Sequence, residues 1–185
     1  MFLIIPLFLS LHLMITDIHN RFTVLLRYDR AGRWWREVFV STCLLSLVMT
    51  VFINGMTFLG SFLVIHESIG TDQIPYLVFR MLVEWIAFIA IGCVYHILVL
   101  WLRNGYIALC GTTFAFFLQD MSRSILRADL ASLPSLMALE YKFRLQVFTV
   151  VSGDLFVVGA IGGAAAILYF AGCILVRDKD FYWSA

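Results

Sequence analysis

The stretch YLVFRMLVEWIAFIAIGCVYHILVLWL, residues 76–102, decides the class of fold. A helix of about 20 apolar residues, rising roughly 1.5 Å per residue, spans the hydrocarbon core of a bilayer, and this run exceeds that length. The whole chain is 62% hydrophobic and 14% charged, which is far from the composition of a soluble domain. We therefore predict an all-α integral membrane protein with a single transmembrane domain over its 185 residues.

Further apolar runs lie on both sides of this stretch. Residues 38–65 and 155–176 are long enough to span, whereas 106–121 is a shorter membrane helix that ends in polar residues. Residues 1–16 form a short or partial span and do not have the basic start of a secretory signal peptide. The prediction is a polytopic helical bundle of about four to five membrane helices.

The distribution of basic residues gives the predicted topology, because Arg and Lys favour cytoplasmic loops. Segment 17–37 is rich in arginine, whereas HESIGTDQIP, residues 66–75, contains no Arg or Lys. The first segment is therefore predicted inside and the second outside, which puts 119–154 outside and the C-terminal tail inside. Apolar residues at three- and four-residue spacing predict amphipathic outer helices in 119–154, with an ordinary interfacial loop as the alternative.

The stretch RYDRAGRWWRE, residues 27–37, combines arginines with adjacent tryptophans directly before the apolar run 38–65. A membrane-interface anchor would explain it, since arginines meet lipid phosphates and tryptophans favour the headgroup level. The full segment 17–37 is longer than an anchor requires. A short cytoplasmic helix that docks onto another protein fits its length and its charges better.

Two stretches resemble ABC-2 type transporter permeases, including those linked to peptide or bacteriocin export and self-immunity. RYDRAGRWWREVFVSTCLLSL, residues 27–47, is similar to the basic, Trp-containing junction before their third membrane helix. AAAILYFAGCILVRDKDFYW, residues 164–183, looks like their last helix and tail. The resemblance implies six membrane helices, a cytoplasmic coupling helix and extracellular helices before the last span. Residues 1–16 would match only part of the second helix, so the chain is expected to be a short variant or to be completed by another subunit.

The resemblance also implies a function, that of a permease subunit in a bacterial plasma membrane that moves peptide-like or amphipathic substrates. A separate ATP-binding cassette subunit would hydrolyse ATP, since this chain has no GxxxxGK[ST] phosphate loop. A second permease copy or a related permease would be a further partner. The resemblance assigns the ATPase-coupling contacts to Arg27, Asp29, Arg30, Arg33, Trp34, Arg36 and Glu37. The rival functions are a holin-like, self-assembling pore and an accessory scaffold subunit.

Polar residues inside the apolar runs are candidates for a transport path, because an ionisable group at membrane depth costs about 3 kcal/mol and tends to face an interior or a cavity. Arg80 and Glu84 stand four residues apart and can pair on one helix face, with His96 further along the same helix. A self-satisfied ion pair is the alternative to a polar passage or an interhelix contact. Asn54, in the run 38–65, fits a hydrogen bond between helices better than a transport site.

The remaining motifs indicate packing rather than chemistry. Gly159 and Gly163 form a GxxxG pattern, which favours close helix packing over a pore-lining role. The four cysteines stand in separate apolar runs without metal-ligand spacing, and no HExxH or nucleophile-elbow motif occurs. A net charge of +1 from scattered arginines argues against nucleic-acid binding. We therefore predict membrane lipid as a partner, and no enzyme activity, cofactor, metal or nucleic acid.

Overall fold

The computed structural model describes residues 4–19, 31–65, 74–126 and 152–177. Within these ranges the chain forms five helices and no strand. In chain order they are α1 (Ile4–His19), α2 (Ala31–Ile65), α3 (Ile74–Leu102), α4 (Gly105–Leu126) and α5 (Ser152–Arg177). The all-α prediction is confirmed for this part of the chain.

Three of the helices have the length and composition of membrane spans. The apolar segments of α2, α3 and α5 are Gly32–Gly60, Ile74–Leu102 and Leu155–Arg177, while those of α1 and α4 are shorter, Ile4–Ile15 and Gly105–Gln119. Large apolar side chains on the outer faces of α2 and α5, such as Phe58 and Phe170, are exposed. Extensive apolar surface of this kind is unfavourable in water, so the three long helices indicate a membrane protein.

Helix α3 lies at the centre of the bundle and contacts each of the other described helices. Its buried side chains include Val83, Phe88 and Ile91, which are fully inaccessible. Phe8 of α1 packs onto Phe88 with the ring centroids 4.8 Å apart. A helix that is covered on most sides needs apolar residues all around, and this explains why residues 76–102 show almost no polar face.

The connection from α3 to α4 consists of Arg103 and Asn104. Arg103 has a φ of 53°, in the left-handed region that ends many helices, and its N–H donates to the Val99 carbonyl at 2.9 Å. The side-chain oxygen of Asn104 accepts hydrogen bonds from the N–H groups of Tyr106 and Ile107 at 3.0 and 3.2 Å. Asn104 thus caps the start of α4, and the short connection makes α3 and α4 neighbours.

All five helices extend beyond their predicted bounds, α2 and α4 by the most. Helix α1 continues to His19, so residues 17–19 of the predicted coupling segment 17–37 belong to it. The helix predicted from residue 38 begins at Ala31, because the adjacent tryptophans belong to a buried cluster with side chains of α3 and α5 that holds the first turns in the helix. Helix α4 continues to Leu126, since no Gly or Pro interrupts it after residue 118. The first part of the predicted outer segment 119–154 therefore belongs to α4. The rest of that segment, to residue 151, lies outside the described residues, as does 20–30 in the predicted coupling segment.

Candidate functional site

Glu84 lies at the centre of a polar cluster between α2 and α3, and its side chain is fully buried. Arg80 Nε, one turn away on the same helix, donates to Glu84 Oε1 at 3.0 Å. Asn54 Nδ2 of α2 donates to Glu84 Oε2 at 2.5 Å and to the Thr50 carbonyl at 2.9 Å. Both carboxylate oxygens therefore have a donor, as an acidic group at membrane depth requires. The structure thus brings together three of the predicted intramembrane polar residues.

A pocket of about 360 Å³ adjoins this cluster. The side chains that form it come from α2 and α3: Val51, Asn54, Gly55, Thr57, Phe58, Leu77, Arg80 and Met81. Arg80 is 20% exposed, so its guanidinium connects the pocket to the buried Glu84. In the predicted topology α3 begins outside, which puts this pocket in the outer half of the bundle.

A second polar cluster lies where α1, α2 and α3 meet. His96 Nε2 and His12 Nδ1 are 3.1 Å apart, and both rings are buried. A hydrogen bond between them requires that one nitrogen carries the proton and the other accepts it. Gly92 makes room for the cluster, because a Cβ there would lie 3.2 Å from His12 Nε2 and 2.5 Å from Thr42 Cγ2. His96 was predicted as an intramembrane polar residue, but its partner His12 was not.

One pattern in the sequence predicts which α2 residues take part in the two polar clusters. Polar residues recur at four-residue spacing in the otherwise apolar run 38–65: Thr42, Ser46, Thr50 and Asn54. Residues four apart lie on one side of a helix, so the spacing predicts a polar row. No comparable signal exists for His12, because its neighbours in the sequence do not indicate which helix it faces.

The charged start of α2 carries the described part of the predicted ATPase-coupling set. Arg33, Arg36 and Glu37 are exposed, whereas Trp34 is only 4% exposed and packs inside the protein. The other members lie outside the described residues: Arg27, Asp29 and Arg30. A surface contact at the described end of α2 is therefore available to the charged side chains and not to the Trp34 indole.

Trp35 attaches this end of α2 to α5. Its indole is 1% exposed, and its Nε1 donates to the Tyr169 carbonyl at 3.2 Å. The Trp35 and Tyr169 rings are stacked with centroids 6.5 Å apart. Gly172 permits this approach, because a Cβ at that position would overlap the indole. The start of α2 and the end of α5 thus lie at the same end of the bundle, which is compatible with the predicted topology.

The GxxxG pattern of α5 has a different environment. Gly159 and Gly163 are exposed, and a Cβ at either position would meet no atom of the described chain within 4 Å. Packing through these glycines stays a prediction, and it would have to involve residues beyond the described ranges or a second chain.

No metal site is evident in the described ranges, where no group of three or more His, Cys, Asp and Glu side chains could hold an ion. No protein-family model matches the chain, and no curated protein or solved structure is significantly similar to it. The choice of function therefore rests on the two polar clusters and on the charged end of α2.

Proposed function

We propose that the chain is a permease subunit of an ATP-driven transporter of the ABC-2 type, a multi-pass protein of a bacterial cell membrane. In this proposal α1 and α4 join the three long helices in the bilayer. The substrates are peptide-like or amphipathic molecules, and a separate ATP-binding cassette subunit hydrolyses ATP. The observation that carries the proposal is the exposed, charged start of α2, which is packed against α5 and continues into the apolar bundle.

The coupling role follows from the continuity of α2, which runs as one helix from Ala31 to Ile65. A displacement of its charged start moves the rest of the helix, because the hydrogen-bonded backbone is stiff along its axis. Trp35 prevents α2 from sliding freely past α5. Further along α2, Asn54 bonds to Glu84 and lines the pocket. ATP-driven movement of the charged end therefore changes the contacts around the pocket, as in other helix-shift transitions.

The pocket supports amphipathic substrates as the transported class. Its walls are mostly apolar, with Phe58, Leu77 and Met81 among them, while Arg80 and Asn54 supply polar groups. Sites for small molecules combine an apolar lining with a few polar groups that fix the orientation of the ligand, and their volumes begin at about 300 Å³. A pocket of this size accepts a side chain or a short acyl segment at a time.

The exposed glycine face of α5 supports a second permease copy as a partner. Gly159 and Gly163 would allow another helix to approach closely, and small residues favour such packing in lipid. The same exposed face favours the second candidate function, a holin-like pore formed by many copies of this chain. The two candidates differ in their need for an ATP-binding subunit.

The docking prediction concerns the charged start of α2. Replacing Arg33 and Arg36 by Glu reverses the charge of the exposed surface, and like charges across an interface cost several kcal/mol. Since each 1.4 kcal/mol is about a tenfold change in affinity, we expect the variant to retain at least tenfold less ATP-binding subunit after purification from membranes. Arg27→Glu with Arg30→Glu is expected to act in the same direction. The measurement is the ratio of ATP-binding subunit to permease in the purified sample.

Arg103→Glu is the matched control, because Arg103 is an exposed basic residue in the other predicted cytoplasmic connection. It should retain the ATP-binding subunit at the unmodified level. All variants should reach the membrane fraction in equal amounts. Retention of the ATP-binding subunit by Arg33→Glu/Arg36→Glu at the level of the control would show that this end of α2 is not the docking site.

A further inference from the structure

The polar row of α2, defined as Thr42, Ser46, Thr50 and Asn54, lies on the side of the helix that faces α3. Three of its side chains are essentially inaccessible: Thr42 and Ser46 are 0% exposed and Thr50 is 1% exposed. Burying a hydroxyl group without a hydrogen bond costs about 1–3 kcal/mol in proteins. A run of polar residues at this depth is therefore unfavourable unless each hydroxyl finds a partner.

Ionisable groups stand at both ends of the polar row. At one end Asn54 donates to the buried Glu84 carboxylate. At the other end Thr42 and the His12 ring meet at Gly92, and His12 bonds to His96. Glu84 and His96 are both on α3, and at roughly 1.5 Å per residue they are separated by about 18 Å along the helix axis. The polar row covers the same length on α2.

The middle of the row holds two hydroxyls that the described chain leaves unsatisfied. Thr42 Oγ1 donates to the Val38 carbonyl at 2.9 Å, but Ser46 Oγ and Thr50 Oγ1 have no hydrogen-bond partner among the described residues. Buried polar groups of this kind are usually satisfied by internal water. The pocket that Asn54 and Arg80 line adjoins the Glu84 end of the row.

We propose that the polar row binds a chain of water molecules and conducts protons between Glu84 and the His12–His96 pair. A proton that enters from the pocket protonates the Glu84 carboxylate and then passes to the adjacent water. Each water and hydroxyl accepts one proton and releases another, so one proton leaves at the histidine pair for each proton that enters at Glu84. The imidazole rings accept and release the proton near the other end of α3. This conduction is independent of ATP and of the proposed permease function.

The experiment uses the purified full chain in liposomes that contain a pH-sensitive dye. A potassium gradient with valinomycin imposes a membrane potential, and the dye reports the resulting proton flux. We expect the flux to exceed that of protein-free liposomes by at least tenfold. Glu84→Gln and His96→Phe should each reduce it at least tenfold, because each removes a group that takes up and releases a proton. Flux at the level of protein-free liposomes would overturn the proposal.

A second variant keeps the test independent of the buried ion pair. Ser46→Ala with Thr50→Val removes only hydroxyls that have no partner in the described chain, so the fold should be retained while the flux falls at least tenfold.

Thr113→Val is the matched control, since the Thr113 hydroxyl is also buried and unpartnered in the described ranges but lies on α4. It should leave the flux unchanged. Equal flux in the double variant and in the control would show that any bound water is structural only. Loss of the ATP-binding subunit would leave all of these results unchanged, which separates this proposal from the permease assignment.

Discussion

Gly172→Ala is expected to destabilise the protein by about 3 kcal/mol, the upper part of the range for overpacking a filled interior. A Cβ on Gly172 would overlap the six-membered ring of Trp35. The indole cannot move aside cheaply, because it is stacked on Tyr169 and its Nε1 is hydrogen-bonded to the Tyr169 carbonyl. The measurement is the free energy of unfolding in mixed detergent micelles, from a denaturant titration followed by tryptophan fluorescence.

Gly162→Ala is the matched control on the same helix. A Cβ at Gly162 meets no atom of the described chain within 4 Å, and Gly162 is not part of the GxxxG pattern, so no contact opposes the substitution. Alanine favours the helix over glycine by about 1 kcal/mol, and we expect this variant to be as stable as the original or slightly more stable. Equal destabilisation of the two variants would contradict the close approach of α2 to α5. A further replacement, Trp35→Leu, should recover part of the stability lost in Gly172→Ala by freeing the space.

Glu84→Leu is expected to cost about 3 kcal/mol. The change removes the acceptor of both Arg80 and Asn54 and leaves the arginine charge without its partner. Breaking a buried ion pair by removing one member typically costs 3–5 kcal/mol, and the lower end applies because Arg80 is 20% exposed. The same unfolding titration measures the effect.

A double substitution separates the ion pair from simple packing. Arg80→Met combined with Glu84→Leu removes both charges, and well-packed apolar replacements of a buried pair are often neutral. We therefore expect the double variant to recover most of the stability lost in Glu84→Leu. The single variant Arg80→Met completes the comparison. If the destabilisation of the double variant equalled the sum of those of Arg80→Met and Glu84→Leu, the two residues would be energetically independent, contrary to the hydrogen bond between them.

The sequence predicted the helices better than the contacts between them. Residues 76–102 were predicted as one long apolar helix, and α3 spans Ile74–Leu102, because length and hydrophobicity are local properties of the chain. The spacing of Arg80 and Glu84 is also local and indicated their pairing. Asn54 was expected to bond between helices, but only the structure identifies Glu84 as its partner.

Contacts between distant segments depend on how the helices are arranged, which the spacing of residues does not specify. His12 and His96 come from the first and third described helices, and no local pattern joins them. The same holds for Trp35 and Gly172. The GxxxG pattern drew attention to Gly159 and Gly163, yet the tightly packed glycine on the same helix is Gly172, because it faces an indole rather than an open surface. Trp34 was assigned to a partner surface, whereas its side chain is 4% exposed and belongs to a buried cluster with side chains of α3 and α5.

The central claim is that this chain works with a separate ATP-binding subunit. The most direct measurement is to purify the full chain from its native membrane in mild detergent, identify the proteins that remain bound, and determine the mass of the complex and its ATP hydrolysis. We expect an ATP-binding cassette protein that carries a phosphate loop, bound to two copies of this chain or to this chain and a related permease. A large ring composed of this chain alone, without ATP hydrolysis, would contradict the permease assignment and support a self-assembling pore.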